Sequence, residues 1–294
     1  MNHVAPIIHL PFAHSRGILG QNICVACLDT GIYASHPDFS TPSPRVIGFF
    51  DTISGLSMPY DDNGHGTHVA GILAGSGTVS GGLYTGIAPA CNLVSVKILN
   101  RYGDGFIKDF EKGIDWILAN RNRYQIRIIN ISIGSVKEKD FQENSEFVRK
   151  VETLWDAGLV VVSAAGNEGP NPGTIGAPGN SRKIITVGSS DDAGKKAGSG
   201  PTAACIKKPD IVAPGSNIRS CIPPKRRKYY DTKSGTSMST PIVSGAIALL
   251  LSRYPDMTNL EVKIRLKNTA VSLGLPHNRQ GWGIIDIQQL LTQR

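Results

Sequence analysis

Five short apolar runs punctuate the chain: 22–28 (NICVACL), 92–99 (NLVSVKIL), 126–133 (IRIINISI), 158–165 (GLVVVSAA) and 183–189 (KIITVGS). They are rich in Ile and Val and show little polar alternation. That pattern predicts strands covered on both faces, as in a parallel sheet. Between and after them, apolar positions recur at helical spacing over 66–75, 106–122, 142–157, 236–253, 258–270 and 286–291. Strands alternating with helices predict an α/β fold built on a mostly parallel sheet. There is no linker, low-complexity tract or internal repeat, so residues 1–294 are expected to form one domain. In such sheets ligands gather beyond the carboxyl ends of the strands. Asp29, closing the first run, and Asn167, following the fourth, are therefore candidate site residues.

The stretch 233–255 (KSGTSMSTPIVSGAIALLLSRYP) turns from small polar residues into an apolar helix. Helices tolerate proline only near their start. Pro241 thus places the beginning of this helix close to Ser237. The first N–H groups there lack intrahelical partners, and the helix dipole favours negative charge. Ser237 is either an ordinary N-cap or a hydroxyl placed where a developing anion would be held. A second helix start carries DDNGHGTHVAGILAG (61–75), with His65 and His68 three apart. A zinc-protease helix needs two His four apart and a Glu beside the first. Neither is present, so no metal is assigned, and His65 becomes a candidate general base.

Composition narrows the field. The longest apolar runs, 159–162 and 246–251, are far too short to span a bilayer. The N-terminal residues lack a basic region leading into an apolar one, so no signal peptide is expected. Five cysteines without dense spacing suggest reduced thiols and a cytoplasmic location, or a secreted one if the chain is a trimmed mature form. Cys24 and Cys27 form a C-x-x-C, but on a strand positions three apart face opposite ways, so core packing is expected. The formal charge of +8 equals the excess of ten Lys/Arg over two acids within residues 195–233. No interleaved aromatics or recognition helix accompany these residues. A solvated basic loop is expected, with no nucleic-acid partner and no membrane.

In chain order the candidates read Asp29, His65, Ser237. Acyl transfer needs a hydroxyl that attacks, an imidazole that takes its proton and a carboxylate that orients the imidazole. The α/β-hydrolases run Ser, Asp, His and the chymotrypsin-type barrels His, Asp, Ser; the subtilisin arrangement runs as this chain does. VACLDTGI, NGHGTHVAGILAG, SAAGNEG and SGTSMSTP resemble the motifs of the subtilisin-like serine proteases (subtilases), and the likeness extends from about residue 8 to the last helix. The resemblance implies a three-layer α/β fold with a central, mostly parallel, seven-stranded sheet flanked by helices. It implies peptide-bond hydrolysis with Ser237 as nucleophile, His65 as base, Asp29 as orienting carboxylate and Asn167 as oxyanion donor. Polypeptide substrates would pair as an added strand, with Ser132, Gly134, Gly103 and Gly105 along the cleft, Gly176 at the pocket floor and Glu168 at its rim. A catalytically silent binding or scaffold protein of the same fold is the alternative.

Departures from the family pattern shape further expectations. Ile242 stands where the family usually has histidine. The loop 75–86 lacks the asparagine-rich stretch that supplies calcium ligands in other members, leaving Asp38 as one remaining carboxylate. No cofactor is required for the chemistry, and structural calcium stays unassigned. No folding prodomain is evident: the chain is expected to fold without one, to receive one in trans or to be trimmed from a longer product, and an inhibitory propeptide or inhibitor acting in trans is a candidate partner. The basic residues 225–228 fall shortly before Ser237 and are expected to border the side of the cleft after the scissile bond, where they would favour acidic residues or dock an acidic partner.

Overall fold

A computed structural model describes residues 1–133, 145–192, 196–226 and 228–293. Seven strands form the central sheet: β1 (Cys24–Asp29), β2 (Val46–Asp51), β3 (Asn92–Lys97), β4 (Ile126–Ile131), β5 (Val160–Ala164), β6 (Ile185–Ser189) and β7 (Ile211–Ala213). Their order is β2-β3-β1-β4-β5-β6-β7, and every pairing is parallel. All six residues of β1 are buried, as its unbroken apolar run requires of a central strand.

The helices, in chain order, begin with two single turns, α1 (Val4–Ile7) and α2 (Pro11–His14), and a third, α3 (Pro37–Ser40). The longer ones are α4 (His65–Ala74), α5 (Ile107–Tyr124), α6 (Glu146–Asp156), α7 (Thr236–Arg253) and α8 (Asn259–Thr269), followed by α9 (His277–Gln280) and α10 (Ile287–Thr292). One core joins Val25 and Cys27 to α4, α7 and α10, including Val69, Ile72, Ile242 and Leu290. The other joins Cys24, Ala26 and Leu28 to α5 and α6, including Phe110, Ile114, Val148 and Leu154. Cys24 and Cys27 thus lie in different cores, on opposite faces of β1, which is the packing role expected of them. Ile242 is fully buried in α7, where a packing side chain suffices.

The five apolar runs and the six helices are all found, with ends shifted by a few residues. The start of the expected helix 142–157 lies partly outside the described residues; its described part begins with Ser145, whose hydroxyl accepts from Val148 N–H as an N-cap. Two strands lack a sequence signal of their own. β2 is only partly buried at the sheet edge, and β7 has three residues. Beyond the sheet, β8 (Ile218–Lys225) and β9 (Lys228–Lys233) form an antiparallel hairpin whose basic residues mask its strand pattern. The basic segment is also not wholly solvated. The Lys208 ammonium is buried, 2.5 Å from Asp210 and bonded to Ile184 O and Thr186 Oγ1.

The sheet order positions the site. β1 sits at the centre, with β2 and β3 to one side and β4 to β7 on the other, so the chain reverses direction across the sheet at β1. The carboxyl ends of β1, β4 and β5 open onto one rim, where a crevice forms at such a switch point.

Candidate active site

Asp29 ends β1 and is almost wholly buried. Its Oδ1 accepts from Thr30 N–H at 2.7 Å and from His65 Nδ1 at 2.7 Å. Its Oδ2 is buried with no hydrogen-bond partner among the described residues. The carboxylate therefore directs its charge chiefly at the imidazole, and the bond leaves His65 Nε2 as the nitrogen available to the cleft. Burial alone would push the imidazole pKa down, but the charge and hydrogen bond of Asp29 outweigh it, and the pKa is raised above the ordinary histidine value. The Lys233 ammonium opposes that rise.

His65 is held by the start of α4, and the start of α4 is held by Asp61. Asp61 Oδ1 accepts from Asn63 N–H (3.1 Å), Gly64 N–H (2.8 Å) and Thr30 Oγ1–H (2.9 Å). Its Oδ2 accepts from Thr67 N–H (2.9 Å) and Thr67 Oγ1–H (2.6 Å). Thr30 Oγ1 in turn accepts from Gly66 N–H at 2.9 Å, tying the end of β1 to the residue after His65. Burial pushes the Asp61 carboxyl pKa up, but the donors from Thr67, Gly64 and Thr30 win and hold it below the ordinary carboxylate value. His68, the other histidine of the motif, is buried, and its Nε2 is shared between Ile218 O and Asp231 O, both at 3.1 Å. Burial above all, with the Lys233 ammonium second, pushes its pKa down to about 3, so it is neutral and structural.

Ser237 is the second residue of α7 and is 8% exposed. Gly235 caps that helix at φ 142°. This backbone conformation is one that only glycine adopts without strain. Pro241 is the sixth helical residue, beyond the first turn, so the Ser237 carbonyl lacks its usual donor four residues on. Asn167 leaves β5 and meets this helix start. Its Oδ1 accepts from Thr236 N–H (3.1 Å) and Thr236 Oγ1–H (3.2 Å). With the oxygen engaged, its Nδ2–H groups remain for a ligand.

One cavity of about 410 Å³ collects these groups: Thr30, Asn63, His65, Asn167 and Ser237 line it, with Gly103, Gly105, Ser132 and Glu168 from the expected substrate cleft. Leu99, Tyr102, Asp104, Phe110 and Ile133 complete the lining. Gly103 sits at φ 82° in a tight loop closed by Asn100, and Tyr102 stands 69% exposed at its tip. The Ser132 hydroxyl turns into the core, accepting from Asn130 Nδ2, whose Oδ1 accepts from Ser244 on α7. Gly176 is not among the lining residues; its N–H bonds Ala165 O at 2.9 Å. Gly134 lies outside the described residues.

Asp38 has a different environment from that of a calcium ligand. Its carboxylate accepts from Gly77 N–H (3.1 Å), Val79 N–H (3.1 Å), Tyr230 Oη–H (2.8 Å) and the Cys221 thiol (3.4 Å). Arg45 bonds its carbonyl. Calcium takes six to eight oxygens, whereas a cation here would face N–H, O–H, S–H and guanidinium donors. The residues present do not fit calcium. His36, Asp38 and Cys221 do offer ligand atoms within 4.8 Å of one another. However, His36 Nδ1 already accepts from Asp38 N–H and its Nε2 bonds Tyr229 O. Burial, with Asp38 beside it, raises the Cys221 thiol pKa well above the ordinary value. The trio is satisfied as hydrogen bonds, and Cys221 is an inert, buried thiol.

Sequence reasoning missed Asp61, Thr30, Lys97 and Gly235. A signal existed for Asp61, which stands three before Gly64 at a helix start. None existed for Lys97, whose fully buried ammonium bonds Thr30 O (2.6 Å), Asp62 (2.7 Å) and Leu99 O (2.9 Å).

A carboxylate–imidazole pair and a serine at a helix start, gathered at the carboxyl rim of a parallel sheet, are the chemical parts that a serine hydrolase uses. The chain belongs to the subtilase family, whose model matches residues 20–283. It is 43% identical over 280 residues to the serine protease AprX of Bacillus subtilis (strain 168), covering 87% of this chain and 62% of that protein. It is 35% identical over 285 residues to subtilisin DY of Bacillus licheniformis, covering 96% of each. It is 39% identical over 264 residues to a thermostable alkaline protease of Halalkalibacterium halodurans, covering 90% of this chain and 66% of that protein. The chain thus spans less than two thirds of AprX. Among the described residues, no helix is long and apolar enough to cross a membrane.

Proposed function

We propose that this chain is a serine endopeptidase that cleaves polypeptides through an acyl-enzyme. Ser237 Oγ attacks the scissile carbonyl carbon while His65 Nε2 takes its proton. Asp29 fixes the imidazole tautomer and stabilises the imidazolium that forms. The oxyanion is received by Asn167 Nδ2–H and by the Ser237 N–H at the start of α7. Collapse of the tetrahedral adduct breaks the C–N bond, and His65 hands the proton to the leaving amine. Water then repeats the sequence on the ester. No cofactor enters these steps. The observation that carries this reading is the 2.7 Å Asp29–His65 bond beside a cavity shared by His65, Ser237 and Asn167.

Substrate lies extended along Ser132 and the Gly103–Gly105 wall, pairing by strand addition. Glu168, exposed at the cavity edge, favours a basic side chain before the scissile bond. An inhibitory propeptide or inhibitor supplied in trans would occupy the same groove. Five free cysteines, four of them buried, support a working location in a reducing compartment. The silent-scaffold alternative gains no support, since Asp29, His65, Asn167 and Ser237 are all present. A serine-directed fluorophosphonate tests the proposal. Labelling that stops in Ser237→Ala is expected, whereas equal labelling of both forms, or none of either, overturns it.

A further inference from the structure

The β8–β9 hairpin concentrates positive charge beside α4, the helix that begins at His65. Lys225, Arg226 and Lys228 are exposed at its tip, and Lys233 is half-buried where β9 runs into Ser234 and the start of α7. Among the described residues no carboxylate forms an ion pair with any of these four. The hairpin is fixed against the His65 helix. Ser220 Oγ donates to His68 O at 2.8 Å, His68 Nε2 meets Ile218 O and Asp231 O, and Pro223 Cδ lies 3.3 Å from where a Gly64 Cβ would stand. Lys233 is near enough to act on both His65 and His68.

The lining of the cleft itself has the opposite character. The walls beyond Ser237 and Asn167 carry Asp104 and Glu168. In the proposed reaction the acyl half of the substrate lies along those walls, because the oxyanion donors hold its carbonyl. The leaving amine departs past His65, towards the hairpin. We infer that this hairpin makes the enzyme prefer acidic residues immediately after the scissile bond, with Lys233 meeting the first or second of them and Lys225, Arg226 and Lys228 those further on. The inference rests on the endopeptidase reading and deepens it.

The position of the charge, rather than its total, sets this preference. A chain of net charge +8 would attract any acidic peptide. Here acids placed before the scissile bond would meet the exposed Glu168 and gain nothing. Partly exposed pairs of this kind are worth roughly two- to fivefold each at low salt, and they fade as the screening length contracts.

The test compares kcat/KM for three matched peptides of one sequence: Gln at the two positions after the cleaved bond, Glu at those positions, or Glu at two positions before it. A fluorogenic amide with no residue after the bond serves as activity control. A preference of about tenfold for Glu after the bond at low salt is expected. It should shrink at high salt and approach unity in K225Q/R226Q/K228Q/K233Q, while the control amide is still cut. Equal gain from Glu on either side would show net-charge attraction and overturn the inference. So would no preference, or one untouched by the four substitutions. Failure to cut the control amide and every peptide would instead bring down the endopeptidase reading, and this inference with it.

Discussion

Removing the Asp61 carboxylate tests whether the start of α4 is held as described. Asp61→Ala leaves Gly64 N–H and Thr67 N–H, at 2.8 and 2.9 Å from it, without an acceptor. Both lie where water is largely excluded, since Gly64 and Thr67 are buried. Each stranded buried donor costs about 1–3 kcal/mol. The Thr30 and Thr67 hydroxyls can rotate to other partners and add less. A loss of about 3 kcal/mol is therefore expected. The assay is urea denaturation followed by fluorescence of the three tryptophans, in a Ser237→Ala background to prevent self-digestion. The effect should depend on pH in a defined direction. The folded carboxyl titrates below its ordinary value, so its contribution is complete above that value and is lost as pH falls through the folded pKa. The Ala variant lacks this loss, and the two stability curves should converge in acid. In the active form, kcat/KM should also fall, because Thr30 then loses the partner that aims its oxygen at Gly66 N–H. A stability change under about 0.5 kcal/mol, the range of an ordinary surface substitution, would refute the reasoning.

Three further outcomes follow from the same geometry. The rising limb of kcat/KM against pH should have its midpoint above the ordinary histidine value, because Asp29 outweighs burial at His65; Asp29→Asn should move it downward and depress the rate by orders of magnitude. Gly66→Ala should abolish activity, since a methyl there would overlap the Gly31 carbonyl oxygen and push α4 away from Asp29; activity near that of the parent would contradict it. A chelator should leave the melting temperature unchanged, whereas Asp38→Ala should lower stability by about 2–4 kcal/mol through the stranded buried Gly77 N–H and Tyr230 hydroxyl. A fall in melting temperature with chelator, restored by calcium, would count against the hydrogen-bonded clasp at Asp38.

Much of this protein was legible because its signals are local. The five apolar runs and six helical periods record which faces are buried, and burial on both faces is what a central parallel strand requires. The glycines, Pro241 and small polar residues around Ser237 and His65 mark helix starts by backbone chemistry that acts within one turn. The elements that escaped notice were those whose sequence serves two purposes. The β8–β9 hairpin carries basic residues on a strand pattern, and β2 is half exposed, so neither shows the periodicity of a core strand.

What only the tertiary structure decided is everything that depends on distance between remote residues. No pattern around Lys97 or Lys208 shows that their ammoniums are buried, because each depends on oxygens from other segments, Thr30 and Asp62 for Lys97 and Ile184 and Thr186 for Lys208. Nor does the sequence show that Asp38 gathers donors from residues 77, 79, 221 and 230 in place of an ion. Asp29 and His65 are 36 residues apart, and Asn167 and Thr236 are 69 apart. Residue types alone nominate such partners. The order of strands in the sheet brings them within hydrogen-bonding distance, because it sends the ends of β1 and β5 and the starts of α4 and α7 to the same rim.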